Sequence, residues 1–166
     1  MAKIAKDITK ALLAEVEKFS EKLDRRLAEE LAVAVKGEMI NLISKGVSPI
    51  EPGGRFPGYK NQGEPGRYPL SAKSNYPSKK PRPVNLFLSG SFMFYLASSA
   101  AHRVKSVGKR MKIEIGFFNS KQADKERGHR DGAGGQPQRP TIPLPSESFS
   151  RKIQATVISV LKKRFG

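Results

Sequence analysis

The chain contains no cysteine and only two histidines. Without cysteine there is no disulfide scaffold and no thiolate metal site, which fits an intracellular or particle-bound protein better than a small secreted one. His102 and His129 have no second histidine or carboxylate at a metal-ligand spacing, so neither a metal nor another cofactor is expected. Long apolar runs are also missing. None reaches transmembrane length, and the N-terminus has a charged, helix-like pattern in place of an apolar leader; the expectation is a soluble chain with no membrane partner. Acidic residues are scarce, 15 against 31 lysines and arginines, for a net charge of +16. Such a field attracts nucleic acid or an acidic protein surface, and it speaks of partners rather than fold.

Catalytic patterns are equally sparse. Gly132, Gly134 and Gly135 do not make a phosphate loop, because no lysine followed by serine or threonine comes after them and Pro137 does. Asp124 and Glu126 point to opposite faces if extended, which argues against a paired-carboxylate site. His129, beside Arg130 and Asp131, could serve a small hydrolase as a base, but no nucleophile stands near it in sequence. The chain is therefore read as not an enzyme.

What is present begins with size. A chain of 166 residues buries one moderate core, so residues 1–166 are expected to form a single domain. An apolar share of 37%, with 12 prolines and 15 glycines, implies that much of it is loop. Charge is unevenly spread: residues 1–45 carry nine basic and eight acidic groups, residues 84–166 fifteen basic and five acidic.

From Ile4, apolar residues at Ile8, Leu12, Val16, Phe19, Leu23, Leu27, Leu31 and Val35 form one helical stripe, extended by Met39, Ile40, Leu42 and Ile43. A continuous helix to Lys45 would be about 60 Å long at 1.5 Å per residue, so it either bends near Gly37 or reaches a neighbouring subunit. Gly46 is the expected stop.

Residues 46–83 are too rich in proline and glycine for a helix or central strand and read as an extended loop or arm. Its aromatic residues Phe56, Tyr59, Tyr68 and Tyr76 are read first as anchors on the body or on the next subunit, with stacking on bases as the alternative. Val84, Leu86 and Leu88 suggest a short strand, Gly90 a junction allowing close backbone approach, and Phe92, Tyr95, Leu96, Ser99 and Ala100 a helix fraying around Ala101 to Lys105. That helix is apolar on two sides, and Phe92 and Tyr95 join the candidate subunit contacts.

Val107 to Arg110 reads as a turn, and Met111, Ile113, Ile115 and Phe117 as an alternating strand. Residues 119–140 read as a second flexible loop. A closing helix runs from Ser146 or Ser148 to Phe165, with Glu147 in its first turn and Lys162, Lys163 and Arg164 in its last. Basic residues cluster three times: Arg103, Lys105, Lys109, Arg110 and Lys112; Lys121, Lys125, Arg127, Arg130 and Arg139; and Arg151, Lys152, Lys162, Lys163 and Arg164. Of these, Arg103, Lys105, Lys109, Arg110, Lys121, Lys125, Arg127 and Arg130 are the candidate contacts to DNA or an acidic partner.

The fold class expected is α+β: a long N-terminal helix and two further helices on a small mixed or antiparallel sheet, with the proline-rich arm. The order of these pieces resembles the tail-completion and virion-morphogenesis family of tailed bacteriophages. Ser89 and Gly90 in the Leu86 to Met93 junction, Ile115 and Gly116 at a strand end, and Arg139 and Pro140 before the last helix carry the resemblance, which spans roughly residues 5–165. It marks Gly90, Gly116, Arg139 and Pro140 as structural junctions. It implies a virion protein assembled in the host cytoplasm into a homo-oligomeric ring, hexameric or dodecameric, at the neck or upper tail. There it would meet connector and tail-tube proteins and join head to tail or terminate the tail tube, with genomic DNA near its positive charge. The alternative is a basic protein that contacts nucleic-acid phosphates non-specifically.

Overall fold

Asp24 sets where the long helix begins. The computed structural model describes residues 24–57, 86, 91–108, 110–132 and 137–166. In it Asp24 is extended, and its Oδ1 accepts from the Leu27 N–H at 2.7 Å, capping helix α1, Arg25–Ser44. Such a cap satisfies one of the donors that a helix N-terminus leaves unpaired. The expected unbroken helix from Ile4 is thereby corrected, since residues up to 23 lie outside the described part and Asp24 is not helical. Gly37 does not interrupt α1. At the far end Gly46 takes φ 73, its N–H donates to the Ile43 carbonyl, and the Val47 N–H donates to the Leu42 carbonyl. This is a Schellman stop, closed by Val47 packing on the core.

Leu27, Ala28, Leu31, Ala32, Val35, Met39, Leu42 and Ile43 lie buried on one face of α1, as their spacing of three and four predicts. Three further units cover that face. Helix α2, Ser91–Ala97, contributes Phe92, Met93 and Leu96 to the core. A 3-10 turn, Ser99–Ala101, leads into strand β1, His102–Val107, which pairs antiparallel with β2, Arg110–Ile115. The register sets His102 opposite Ile115 and Val107 opposite Arg110, with Gly108 at φ 60 in the hairpin turn. The expected fraying helix over Ala101 to Lys105 is thus mostly strand. Its residues alternate poorly between buried and exposed, so no strand period announced it.

Helix α3, Ser120–Asp131, occupies most of the expected loop at 119–140. It ends at Gly132, φ 70, a left-handed conformation that glycine adopts without steric cost. Helix α4, Arg151–Phe165, starts later than expected, with Ser150 at its N-cap; Glu147 stands outside it. Glu51, far away in sequence, receives the Arg151 N–H on its Oε1 at 2.7 Å and supplies a carboxylate at that helix N-terminus. Two isolated bridges order the segment after α1: Val47 with Arg55 closes it on itself, and Ile50 with Phe149 fastens it to the approach to α4.

α4 runs antiparallel to α1. Leu161 clusters with Leu27 and Leu31 near the start of α1, whereas Ile153 joins the main core with Met39, Leu42 and Ile43 near its end. Among the described residues the fold is therefore α+β, four α-helices with a two-stranded antiparallel sheet, led by a long helix. No helix among them is long and apolar enough to cross a membrane. Of the strand expected at 84–88 only Leu86 is described; it is buried, with φ 54 rather than an extended conformation.

Candidate functional site

The polar side of the molecule is built on α3. Gln122, Glu126 and His129 recur at spacings of four and three and turn inward. Glu126 is the centre: its Oε1 accepts from the backbone N–H groups of Thr141 at 3.0 Å and Ile142 at 3.1 Å, and its Oε2 accepts from the Thr141 hydroxyl. Arg130 lies 3.7 Å from the same carboxylate and 3.1 Å from Glu147. Burial raises the Glu126 carboxyl above the ordinary range against the pull of these donors and of Arg130. Glu147 is held below its ordinary range by the Leu144 N–H, which donates to it at 2.7 Å, and by Arg130. The whole arrangement satisfies a buried carboxylate with backbone donors, and it pins residues 141–147 to α3.

His129 meets the edge of Phe92, with ring centres 5.5 Å apart, and Phe92 stacks on Phe117 at 4.4 Å. Burial, helped by the cations Arg139 and Lys125, pulls the imidazole down to about 4. His129 is therefore a neutral, half-buried ring at neutral pH. Arg139 is 1% exposed; its Nε donates to the Pro57 carbonyl at 3.0 Å and its backbone N–H to the His129 carbonyl at 2.6 Å. It ties the segment after α1 to the end of α3. Pro140 follows it, half-buried, and the Gly116 N–H donates to the Ala101 carbonyl at 3.0 Å beside the strand end.

The aromatic candidates separate. Phe56 and Phe92 are buried in this chain's own core: Phe56 is an anchor on the body rather than on the next subunit, and the expected role of Phe92 as a subunit contact is corrected. Tyr95 is half-buried and its hydroxyl organises a turn: it donates to the Ala100 carbonyl and accepts from the Phe118 and Asn119 N–H groups. Tyr59, Tyr68, Tyr76 and Gly90 lie outside the described residues. α2 packs on α1, and Phe94, 67% exposed, is its outward residue.

The basic candidates are largely engaged. Arg103 lies 3.9 Å over the Phe118 ring. Lys105 and Lys112 both reach Glu114, at 3.1 and 2.9 Å, and depress its carboxyl. Lys125 donates to the Ser91 hydroxyl at 2.7 Å, Arg127 pairs with Asp124, and Arg130 is committed to Glu126 and Glu147. Lys121 is exposed. Lys109 and the Arg110 side chain are outside the described part. Sequence reading missed Glu126 and Thr141, and also Lys36, a buried lysine whose Nζ donates to the Ser98 carbonyl at 2.5 Å. Desolvation lowers the affinity of that amine for its proton.

A groove of about 290 Å³ opens between α1, β2 and α4, lined by Leu31, Val35, Met111, Ile113, Ile153 and Val157 among others. It shares Ile113, Ile115 and Phe149 with a second cleft of about 400 Å³ that runs past Ile142 to Pro145. Among the described residues no cluster of three or more histidines and carboxylates could hold a metal ion. Comparison of the chain with protein-family models, with curated proteins and with solved structures finds no match.

Proposed function

We propose that the chain is a structural assembly protein of a tailed bacteriophage particle, forming a ring at the neck or upper tail that joins head to tail or terminates the tail tube. The order of the Ser89-Gly90, Ile115-Gly116 and Arg139-Pro140 junctions suggests the class. The observation that supports it best is the apolar groove and its continuation around β2. An open apolar channel on a charged molecule favours burial by a protein partner, and β2 pairs only with β1 among the described residues, leaving its other edge beside the second cleft. A neighbouring copy that lays a strand or helix there would gain backbone hydrogen bonds and apolar burial together. Leu144, 48% exposed at the mouth of that cleft, would be covered in the same step.

Mass photometry of the purified protein, alone and with neck or tail partners, tests the reading, and electron microscopy of any assembly gives its symmetry. Discrete oligomers are expected, weakened by Ile113→Glu. A monomer at micromolar concentration that stays monomeric with those partners would sink it.

A further inference from the structure

One end of the molecule gathers cations that the sequence keeps far apart. The antiparallel packing of α1 and α4 brings Arg25 and Arg26, at the start of α1, to the end where α4 finishes with Lys162, Lys163 and Arg164. The hairpin points the same way. Ile115 packs in the cluster with Val35 and Met39, and Ile113 in the one with Leu27 and Leu31, so the strand leads from the middle of α1 toward its beginning as the hairpin turn is approached. Lys105 and Lys112, opposite each other one step beyond Ile113, therefore stand near this end.

Among the described residues the acids at this end are mostly taken. Asp24 caps α1, Glu114 holds Lys105 and Lys112, and Glu29 meets His102 at 2.6 Å and Arg25 at 3.9 Å. Glu30 remains exposed. Arg26, Lys162, Lys163 and Arg164 are exposed and have no ion pair among the described residues. Toward the opposite end stand Lys45 at the close of α1, Arg55 in the segment after it, and Arg151 and Lys152 at the start of α4, where Glu51 accepts from the Arg151 N–H.

We propose that the Arg25, Arg26 and Lys162 to Arg164 end binds the phosphate backbone of nucleic acid. The cations are long, exposed and spread over separate elements, with no built pocket, a pattern suited to a dense line of charge rather than one anion. Duplex DNA carries one charge per about 1.7 Å and condenses counterions whose release drives binding. A peptide with scattered carboxylates condenses few, so it gains less from the same lysines. Of the eight cations that sequence favoured, the three on α3 with partners, Lys125, Arg127 and Arg130, are instead engaged within the fold, and Lys121 is exposed. This inference does not depend on ring formation.

The test is fluorescence anisotropy with a mixed-sequence 30-base-pair duplex from 50 to 200 mM salt, using the full chain. Two triple variants remove the same charge: Lys162→Gln, Lys163→Gln and Arg164→Gln at this end, and Lys45→Gln, Arg151→Gln and Lys152→Gln at the other. All six positions are exposed, and circular dichroism checks that both variants fold. The expected result is salt-dependent binding, at least tenfold weaker in the first variant and nearly unchanged in the second. With about 0.9 in log-log salt slope per phosphate contact, three lost contacts flatten the dependence by about 2.7. Equal weakening in both variants, weakening in neither, no DNA binding, or competition by polyglutamate as effective as by DNA would each overturn the proposal. The last result would point to an acidic protein partner instead.

Discussion

Glu126 is a carboxylate that the fold has taken out of water and surrounded with donors. Replacing it with alanine leaves the Thr141 hydroxyl and two backbone N–H groups without an acceptor and takes one carboxylate from Arg130. Breaking a buried pair in this way costs about 3–5 kcal/mol, so Glu126→Ala is expected to lower the urea midpoint of unfolding sharply. A midpoint within experimental error of the parent would show that residues 141–147 do not depend on this contact. His129 supplies a second prediction, this time in pH. Its folded pKa is near 4 against an ordinary 6.5, so between those values the unfolded chain holds a proton that the folded chain does not. Stability therefore falls as pH drops from about 6.5 toward 4, by about 1.4 kcal/mol per unit. Glu126, raised in the fold, works in the opposite direction over its own range. Comparing the parent with His129→Gln isolates the histidine: from pH 7 to pH 4.5 the variant should lose about 2–3 kcal/mol less. Parallel losses would remove His129 as the cause. Neither residue was legible as structural in the sequence, because a buried carboxylate and a buried imidazole look like surface groups until their partners, 15 residues away for Thr141, are known.

At the scale of elements, apolar periodicity found what apolar residues bury and missed what polar ones do. α1 was visible from Leu27 onward because its stripe is leucine, valine and methionine. α3 has a stripe of the same spacing, but it consists of Gln122, Glu126 and His129, and the nearby glycines at 132, 134 and 135 made the segment look like loop. The spacing was there to be read; the residue types hid it. β1 was obscured for another reason, since Arg103, Lys105 and Ser106 are all exposed and the strand is held through its hairpin partner. Two glycines test these assignments with opposite signs. Gly37 sits on the exposed side of α1 with nothing within 4 Å of where a Cβ would stand, so Gly37→Ala should stabilise by about 0.5–1 kcal/mol through helix propensity. Gly108, at φ 60, occupies a left-handed turn, and Gly108→Ala should destabilise by about 1–2 kcal/mol despite equally open space. Urea titrations with unchanged slopes would give both values. The same sign at both sites would contradict the helix or the turn.

For the whole molecule, the α+β class was legible while the meeting of distant parts was not. A long helix, the β2 strand and a closing helix follow from patterns that are local in sequence. The antiparallel contact of α1 with α4, the bond from Arg139 to the Pro57 carbonyl and the Glu51 cap on α4 join residues 82 to more than 100 positions apart, which local pattern does not encode. The net charge of +16 told of polyanion attraction but not of its place; burial and pairing decide which cations remain available.

The side-by-side course of the first and last helices also decides where labels belong. Asp24 and Phe165 finish at the same pole, so a fluorophore, purification tag or fusion attached after Gly166 would stand among Arg26, Lys162 and Lys163, and an acidic one would mask them. The Gly53-Gly54 turn lies toward the other pole, with open space around both residues. A reporter inserted there leaves the cationic pole as nature presents it.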